Sequence, residues 1–439
     1  MRSVPAILRR GRRGRPRPIA LAAMASIFLV CSLAPESAQA KRIFVPRQHK
    51  RLQSAIDAAA AGDTVWVAAG TYPGPFVLKK PLVLFGEGGP SETILDGRDS
   101  VRVLHVEGVT RGAIYGFRIQ HGRAAGGGGI YCLRDTAFAI GSCDVRLNRE
   151  AGVAVWQSSL IQISDSEISQ NKGGGLTASD SRLQLVQVNL RDNHAPTGGG
   201  MSLVSSDLTI ARNCLFEGNR ADDGTGGGLF AEDSSSVDFL NCTFRGNSAA
   251  AGGGAVAVMD RSSMRIRSSR FTANRSSTGG AVLTDRSWVD IQISIFSKNR
   301  ATAAGAAVQI LGRRTAGVNP MIVNNTFYRN GVDSEGGAIY AQEVSPDIVR
   351  NIFVVDSTAK NKTVIELKGA PRYECNLIYA MDGPGARPSA NTIVGNPSFC
   401  DAENGDFRVR DLSPALLAPC GRLGALGKGC PSFRMLPSK

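Results

Sequence analysis

An asparagine recurs through the middle of the chain, at Asn148, Asn171, Asn193, Asn219, Asn247, Asn274, Asn299 and Asn330, and an aspartate, Asp356, continues the series. Three residues before each stands a large apolar side chain: Val145, Ile168, Leu190, Phe216, Phe244, Phe271, Phe296, Phe327 and Phe353. Between successive asparagines lies a small-residue pair, as in Gly128-Gly129, Ala151-Gly152, Gly227-Gly228, Gly279-Gly280 and Gly336-Gly337. Two independent markers share one period of roughly 25 residues, so the chain is a repeat array before it is anything else.

The segments after the small pairs are short, apolar and rich in β-branched residues, as in GGGLFAED, GGAVLTDR and GGAIYAQE, and read as strands. A second strand surrounds each Phe. Strand, bend, strand, bend within one period is a turn of a solenoid whose parallel strands stack about 4.8 Å apart. Equivalent residues then lie on themselves: the phenylalanines form an internal ladder and the asparagines bond backbone groups at a bend. Glycine supplies φ > 0 at the sharp turns. Two residues before each apolar marker stand Cys143, Ser166, Val188, Cys214, Cys242, Ser269, Ser294, Asn325 and Asn351, a further column of side chains that stack well. A helical solenoid is excluded, because each interior Gly would cost a helix about 1 kcal/mol.

The open ends of such a stack need caps. LQSAIDAAAAGD places Leu52, Ile56, Ala59 and Ala60 at helical spacing with Gly62 to end the helix, and DTVWVAAGTY follows as strand and turn. Residues 1–40 read as a secretory signal: seven arginines, an apolar run from Ile19 to Ala34 and the small-x-small site Ala38-Gln39-Ala40. Removing it lowers the net charge from +14 to +8, because seven arginines and one glutamate leave with it. The remaining Lys and Arg are scattered among acids, with no nucleic-acid motif. The expected organisation is a signal peptide (1–40), an N-terminal cap with the first coils (41–100), the coils proper (101–375), and the last coils with a C-terminal tail (376–439).

LQSAIDAAAAGDTVWVAAGTY resembles the entry into right-handed parallel β-helix proteins of the pectin-lyase-like superfamily. The repeats FEGN, FRGN, FTAN, FSKN and FYRN, with GGGL, GGAV and GGAI, resemble those of chlamydial polymorphic outer-membrane proteins. GNPSFCDAENGDFRVRDLSPAL is similar to the closing segment of exported bacterial β-helix proteins of unassigned function. The fold expected is therefore all-β: one right-handed parallel β-helix with a short α-helical cap and an irregular, cysteine-bearing C-terminal closure. The resemblance specifies the fold closely and the function weakly, because lyases, hydrolases, epimerases, esterases and adhesins share it.

No complete catalytic motif is present. His49, His105, His121 and His194 are spread out, and the Gly-His-Gly of the fold's hydrolases and the Asp-Pro-His of its epimerases are missing. One acidic series follows the glycine-led strands: Asp135, Asp180, Asp233, Asp260, Asp285 and Glu343. Asp233, Asp260 and Asp285 fall on consecutive coils and form a candidate Ca²⁺ site, with Arg261 and Arg286 beside them. The resemblance implies that calcium with an Arg or Lys base would make a lyase on acidic polysaccharide. The competing reading is that these acids are bend residues paired with exposed arginines. On the outward faces, Tyr131, Trp156, Phe230, Val256, Val282 and Ile339 are candidates for stacking on sugars or docking a protein. Of the eight cysteines after the leader, Cys214 and Cys242 stack on adjacent coils, whereas Cys400, Cys420 and Cys430 are expected to include one disulfide. The leading functional expectation is an exported protein that presents a face to a polysaccharide or a cell-surface partner. A calcium-assisted lyase is the alternative, and a structural envelope protein without a ligand is the third reading.

Overall fold

The computed structural model describes residues 40–312, 319–332, 337–355, 365–368, 372–380 and 391–430. The leader, Asp356 and Gly336 lie outside the described residues. From Ala40 onward the chain forms a parallel β-solenoid of three long sheets. The first sheet has 14 strands, from Arg42–Val45 to Arg372–Glu374, and the second has 12, from Phe76–Leu78 to Ile365–Lys368. The third has 14, from Gly70–Pro73 to Ile393–Val394. One coil runs Leu229–Glu232 in the second sheet, Ser236–Leu240 in the first, Thr243–Arg245 in the third, then Ser248–Ala249 in a small fourth sheet. The next coil opens with Val256–Met259, in register on Leu229.

The predicted ladders are present and are buried. Rings of Phe216, Phe244, Phe271, Phe296, Phe327 and Phe353 stack with centroids 4.6 to 5.0 Å apart and nearly parallel planes. Each such pair contributes about 0.5–1.5 kcal/mol beyond the burial of its area. At the following corner each asparagine bonds the next. Asn247 donates from its backbone N and from Nδ2 to Oδ1 of Asn274, both at 3.0 Å, and from Nδ2 to the Phe216 carbonyl at 2.9 Å. The same pattern runs from Asn148 to Asn330. These side chains satisfy backbone groups that the corner removes from the sheets.

Two more ladders occupy the other corners. Between the first and third sheets, backbone N–H groups of Cys143, Cys242, Ser269 and Ser294 donate to Ser166, Ser269, Ser294 and Asn325, and the line continues through Asn351 to Asn376. Between the second and first sheets a serine ladder runs through Ser158, Ser181, Ser206, Ser235 and Ser262. The sequence did not announce this third line, because no large apolar marker accompanies it.

Glycine has two roles at the small pairs. One glycine takes a left-handed conformation, the first of the pair at Gly253 (φ +61°) and Gly279 (φ +55°) and the residue before the pair at Gly226 (φ +70°). The second is required by close approach: a Cβ on Gly175 would lie 2.6 Å from the Gly200 carbonyl oxygen of the next coil. The other corners turn through left-handed residues that are mostly not glycine, such as Asn213, Asn241, Ser268 and Ile293 (φ 51° to 54°). Their repetition shows that the neighbouring ladders, rather than glycine alone, hold those turns.

The cap helix spans Leu52–Ala58 and buries Leu52, Ala55 and Ile56 against the core. It ends at Ala59, so Gly62 (φ +89°) belongs to the turn beyond it. At the other end, strands Phe399–Asp401, Asp406–Arg410 and Lys428–Cys430 form a separate sheet. Phe407, Val409, Leu423 and Ala425 pack on Ile295, Tyr328, Ile352, Val354 and Leu377, the outer side chains of the third sheet. The closure thus folds back over the side of the last coils. Two disulfides fasten this region, Cys375–Cys420 and Cys400–Cys430. All three cysteines expected to supply a bridge are used. Cys132, Cys143, Cys214 and Cys242 are buried free thiols, and burial pushes the Cys143 thiol up to about 12.

Asp135 heads the serine ladder. Its Oδ1 accepts from the Val109 N–H at 2.7 Å, while Oδ2 is buried without a hydrogen-bond partner, and burial raises the carboxyl to about 6. A raised carboxyl contributes stability that is present below its unfolded value and lost as pH rises through the folded one. Asp135 therefore costs the fold roughly 3 kcal/mol, to order of magnitude, above pH ~6. Asp135→Ser continues the ladder with a neutral hydroxyl. It should raise the melting temperature at pH 7.5 and flatten the stability change between pH 4 and 6.5 seen by calorimetry. An unchanged pH profile would contradict this. Asn274→Ala leaves the Asn247 donors without an acceptor inside the core, and chemical denaturation should show a loss of about 2–4 kcal/mol. A loss below about 0.5 kcal/mol would show that the ladder carries no stability.

Candidate functional site

Strict alternation in the second sheet sends Leu104, Ile130, Val153, Leu176, Met201, Leu229, Val256, Val282, Val308 and Ile339 inward. Val256, Val282 and Ile339 are accordingly fully buried, which corrects the expectation that they face outward. They share the register of Leu229, not that of Phe230. The outward column is His105, Tyr131, Ala154, Thr177, Ser202, Phe230, Ala257, Leu283, Gln309 and Tyr340. A second outward column, two residues along, holds Glu107, Leu133, Trp156, Ser179, Val204, Glu232, Met259 and Asp285. The remaining candidates read from the sequence, Tyr131, Trp156, Phe230, Asp233, Asp260, Arg261, Asp285 and Arg286, fall on the outer face of this one sheet or on the corner that follows it.

The face has three parts. At its N-terminal end, His105 and Tyr131 meet edge to face with centroids 5.3 Å apart, and the Arg102 guanidinium lies 4.1 Å from the Tyr131 ring centre. Arg102 is held there by the Gly127 and Ala125 carbonyls, both at 2.9 Å. Burial, with the Arg102 charge beside it, holds His105 below its ordinary value, so at neutral pH it is an uncharged ring. Trp156 stands one coil further on, half-buried, and its indole N–H has no hydrogen-bond partner. Glu107 closes this end by pairing with Lys79 at 2.8 Å and Arg134 at 2.6 Å.

The middle is a floor of small side chains: Ala154, Thr177 and Ser202, with Ser179 beside them. It separates Tyr131 from Phe230 by four coil steps, roughly 19 Å. Phe230 is 8% exposed and packs with Ala257 and Leu283, with Met259 and Leu311 against them. It forms a local apolar cluster rather than a free ring.

The third part is charged. Asp233 and Asp260 share the left-handed corner column, at φ 54° and 51°. The next coil places Arg286 there (φ 49°), because Asp285 pairs with Met259 and sits one position earlier. The three aspartates are on consecutive coils as expected, but only two are in register. Arg286 bonds Asp260 at 2.5 Å and approaches Asp285 at 3.6 Å. Arg261 is exposed on the same corner. Among the described residues no group of three His, Cys, Asp or Glu has metal-holding geometry. Glu232, beside these acids, is raised by partial burial and by the Asp233 and Asp260 charges. Asp135 belongs to the buried serine corner instead of this acidic series.

Sequence reading missed a recess of about 490 Å³ at the corner between the first and third sheets. Asp144, Arg146, Asp165, Glu167, Gln187 and Asn189 line it. Arg118 bonds Asp144 at 3.1 Å, and Arg146 approaches the same carboxylate at 3.5 Å. Asp144, Arg146, Glu167 and Asn189 occupy outward positions flanking Val145, Ile168 and Leu190, where the strand period would have located them, and Asp165 and Gln187 stand on the left-handed corner before those strands.

The model of the right-handed β-helix region family matches residues 103–271 and 213–326, together more than half of the chain. The chain belongs to this family. The chlamydial polymorphic membrane protein repeat matches residues 326–342. No curated protein sequence matches the chain. Among solved structures, the family PL6 alginate lyase AlyGC, in a mutant form, is similar at 14% identity and TM-score 0.55, covering 87% of this chain and 56% of the lyase. Pectate lyase Pel9A is similar at 12% identity and TM-score 0.43, over 68% of this chain and 79% of that one. The catalytic unit of the GH87 α-1,3-glucanase from Streptomyces thermodiastaticus gives 13% identity and TM-score 0.40, over 83% and 71%. The likeness to the alginate lyase, at 14% identity, bears on the fold alone.

Proposed function

We propose that the protein is an exported polysaccharide-binding β-helix that seats a glycan along the outer face of its second sheet. The observation that carries this reading is the cluster of Tyr131, His105 and Trp156, all half-buried on the outer face, beside the small, half-buried Thr177 and Ser202. Small side chains at Thr177 and Ser202 let a sugar approach the sheet, and aromatic faces stack on its C–H surfaces. Export is supported by the leader-like sequence and by two disulfides, which persist in oxidising compartments. No helix among the described residues is long and apolar enough to cross a membrane. The solved structures that share the fold include enzymes named for acting on polysaccharides.

Binding without cleavage is favoured over the calcium-assisted lyase by Arg286. Its guanidinium bonds Asp260 and approaches Asp285, so it occupies the place beside those carboxylates. The same contact neutralises acids that calcium would need. Arg286→Gln should therefore produce a variant whose melting temperature rises with millimolar calcium while the parent's does not. Calcium stabilisation of the parent, with release of an ultraviolet-absorbing unsaturated uronate, would establish the lyase instead.

The binding test is retention of glycans at about 0.5 M salt, where attraction between exposed charges is screened. At least one polysaccharide should be retained uncleaved, and Trp156→Ala should weaken retention roughly five- to tenfold, the value of one lost aromatic contact. Retention unaffected by Trp156→Ala, or no retention at all, would refute the site.

A further inference from the structure

The first four coils carry an aromatic column that the second-sheet site does not use. Phe44, Trp66, Phe85 and Tyr115 are in register on the outer face of the first sheet. Trp66 and Phe85 lie 4.5 Å apart between centroids, and Phe44 and Trp66 6.4 Å. All four rings are half-buried. The position after Tyr115 is Gly141, where an added Cβ would collide with the Tyr115 ring, so that ring lies across the bare backbone of the next coil. The neighbouring outward column is low: Thr64, Val83, Ala113 and Ala139, then Gln162 and Gln184, which bond each other at 3.0 Å. The result is a strip of rings running along the coil axis with a flat margin beside it.

Positive charge is concentrated at the same place. The Arg42 guanidinium lies 5.1 Å from the Trp66 ring centre and that of Arg47 lies 5.4 Å from Phe44. A guanidinium stacked on a ring keeps its N–H edge free for a carboxylate. Among the described residues no carboxylate lies within ion-pair distance of either one. Lys41 to Arg51 holds five Lys or Arg and no acid.

We infer that this strip is a binding site for an acidic polysaccharide, with sugar faces on the rings and uronate carboxylates on Arg42 and Arg47. Charge complementarity selects a polyanion, and the line of rings selects a chain of sugars over a compact anion. A lipid surface fits less well. None of the four rings is among the large apolar side chains that stand exposed, so none protrudes far enough to enter a bilayer. The site lies on a different sheet from the proposed second-sheet site and stands or falls separately from it.

The test measures affinity for polygalacturonate and alginate, with uncharged dextran and phosphatidylserine vesicles as comparators, at about 0.05 M and 0.5 M salt. Polyuronate binding should weaken markedly at the higher salt. Arg42→Gln with Arg47→Gln should weaken the low-salt binding roughly tenfold, and Phe85→Leu severalfold, with unchanged circular dichroism. Trp156→Ala should leave this salt-sensitive binding within about twofold, which separates the two sites. Any of the following results would overturn the proposal: no polyuronate binding, full binding by the arginine double variant, or an equal loss on Trp156→Ala. Dextran binding lost in the arginine double variant as fully as polyuronate binding, or tighter binding to the vesicles, would overturn it too.

Discussion

The whole structure depends on one constraint: each coil must lie on the last with no slip in register. Parallel backbone bonds alone do not impose it, because sliding a strand by two residues would keep its inward face inward. The corner ladders do. An asparagine whose Oδ1 takes two donors from the coil before, and whose Nδ2 donates to the next amide and to a Phe carbonyl, fits one alignment. The serine ladder and the Cys/Ser/Asn ladder fix the other two corners in the same way. With three corners pinned, the sheets between them have no freedom to shift.

From that constraint the surfaces follow. Fixed register makes outward side chains into columns, so chemistry on this molecule is organised in lines parallel to the coil axis. A column of small residues is a floor, a column of rings is a strip, and alternating acids and arginines neutralise each other. The outer face of the third sheet changes from charged to apolar along its length. Its early coils present Arg118, Asp144, Arg146 and Arg191, whereas its late coils present Ile295, Tyr328, Ile352 and Leu377, which the C-terminal closure covers. Glu403 joins the closure to this face by bonding Tyr328 at 2.7 Å and Lys298 at 3.1 Å, and by pairing with Arg329.

Much of this was legible in the sequence, because a repeat writes its core many times. The Phe and Asn columns, the column that includes Cys143 and Asn325, and the cap helix are local in period and needed no tertiary information. The outward side was harder. Val256 and Val282 were misplaced because glycine runs of different length precede each strand, and a one-residue error there exchanges inside for outside. Asp285 slipped by one for the same reason, and Arg286 entered the acidic column unforeseen. The partners Cys375–Cys420 and Cys400–Cys430 depended on how the closure folds back, which no periodicity encodes. The aromatic strip went unseen because its members lie 19 to 30 residues apart in the irregular first coils, before the repeat has settled.

Register is measured most directly by cross-linking across adjacent coils on the outer face. Gln162 and Gln184 are direct partners in the first sheet, and Val186 is displaced by two residues. Cysteines replacing Gln162 and Gln184 should form a disulfide readily on oxidation, since in-register strands hold Cα atoms about 5 Å apart. Cysteines replacing Gln162 and Val186 should not, being separated by roughly 8 Å. Equal cross-linking of both pairs, or bridging only of the second, would contradict the stacked register on which every surface described above depends.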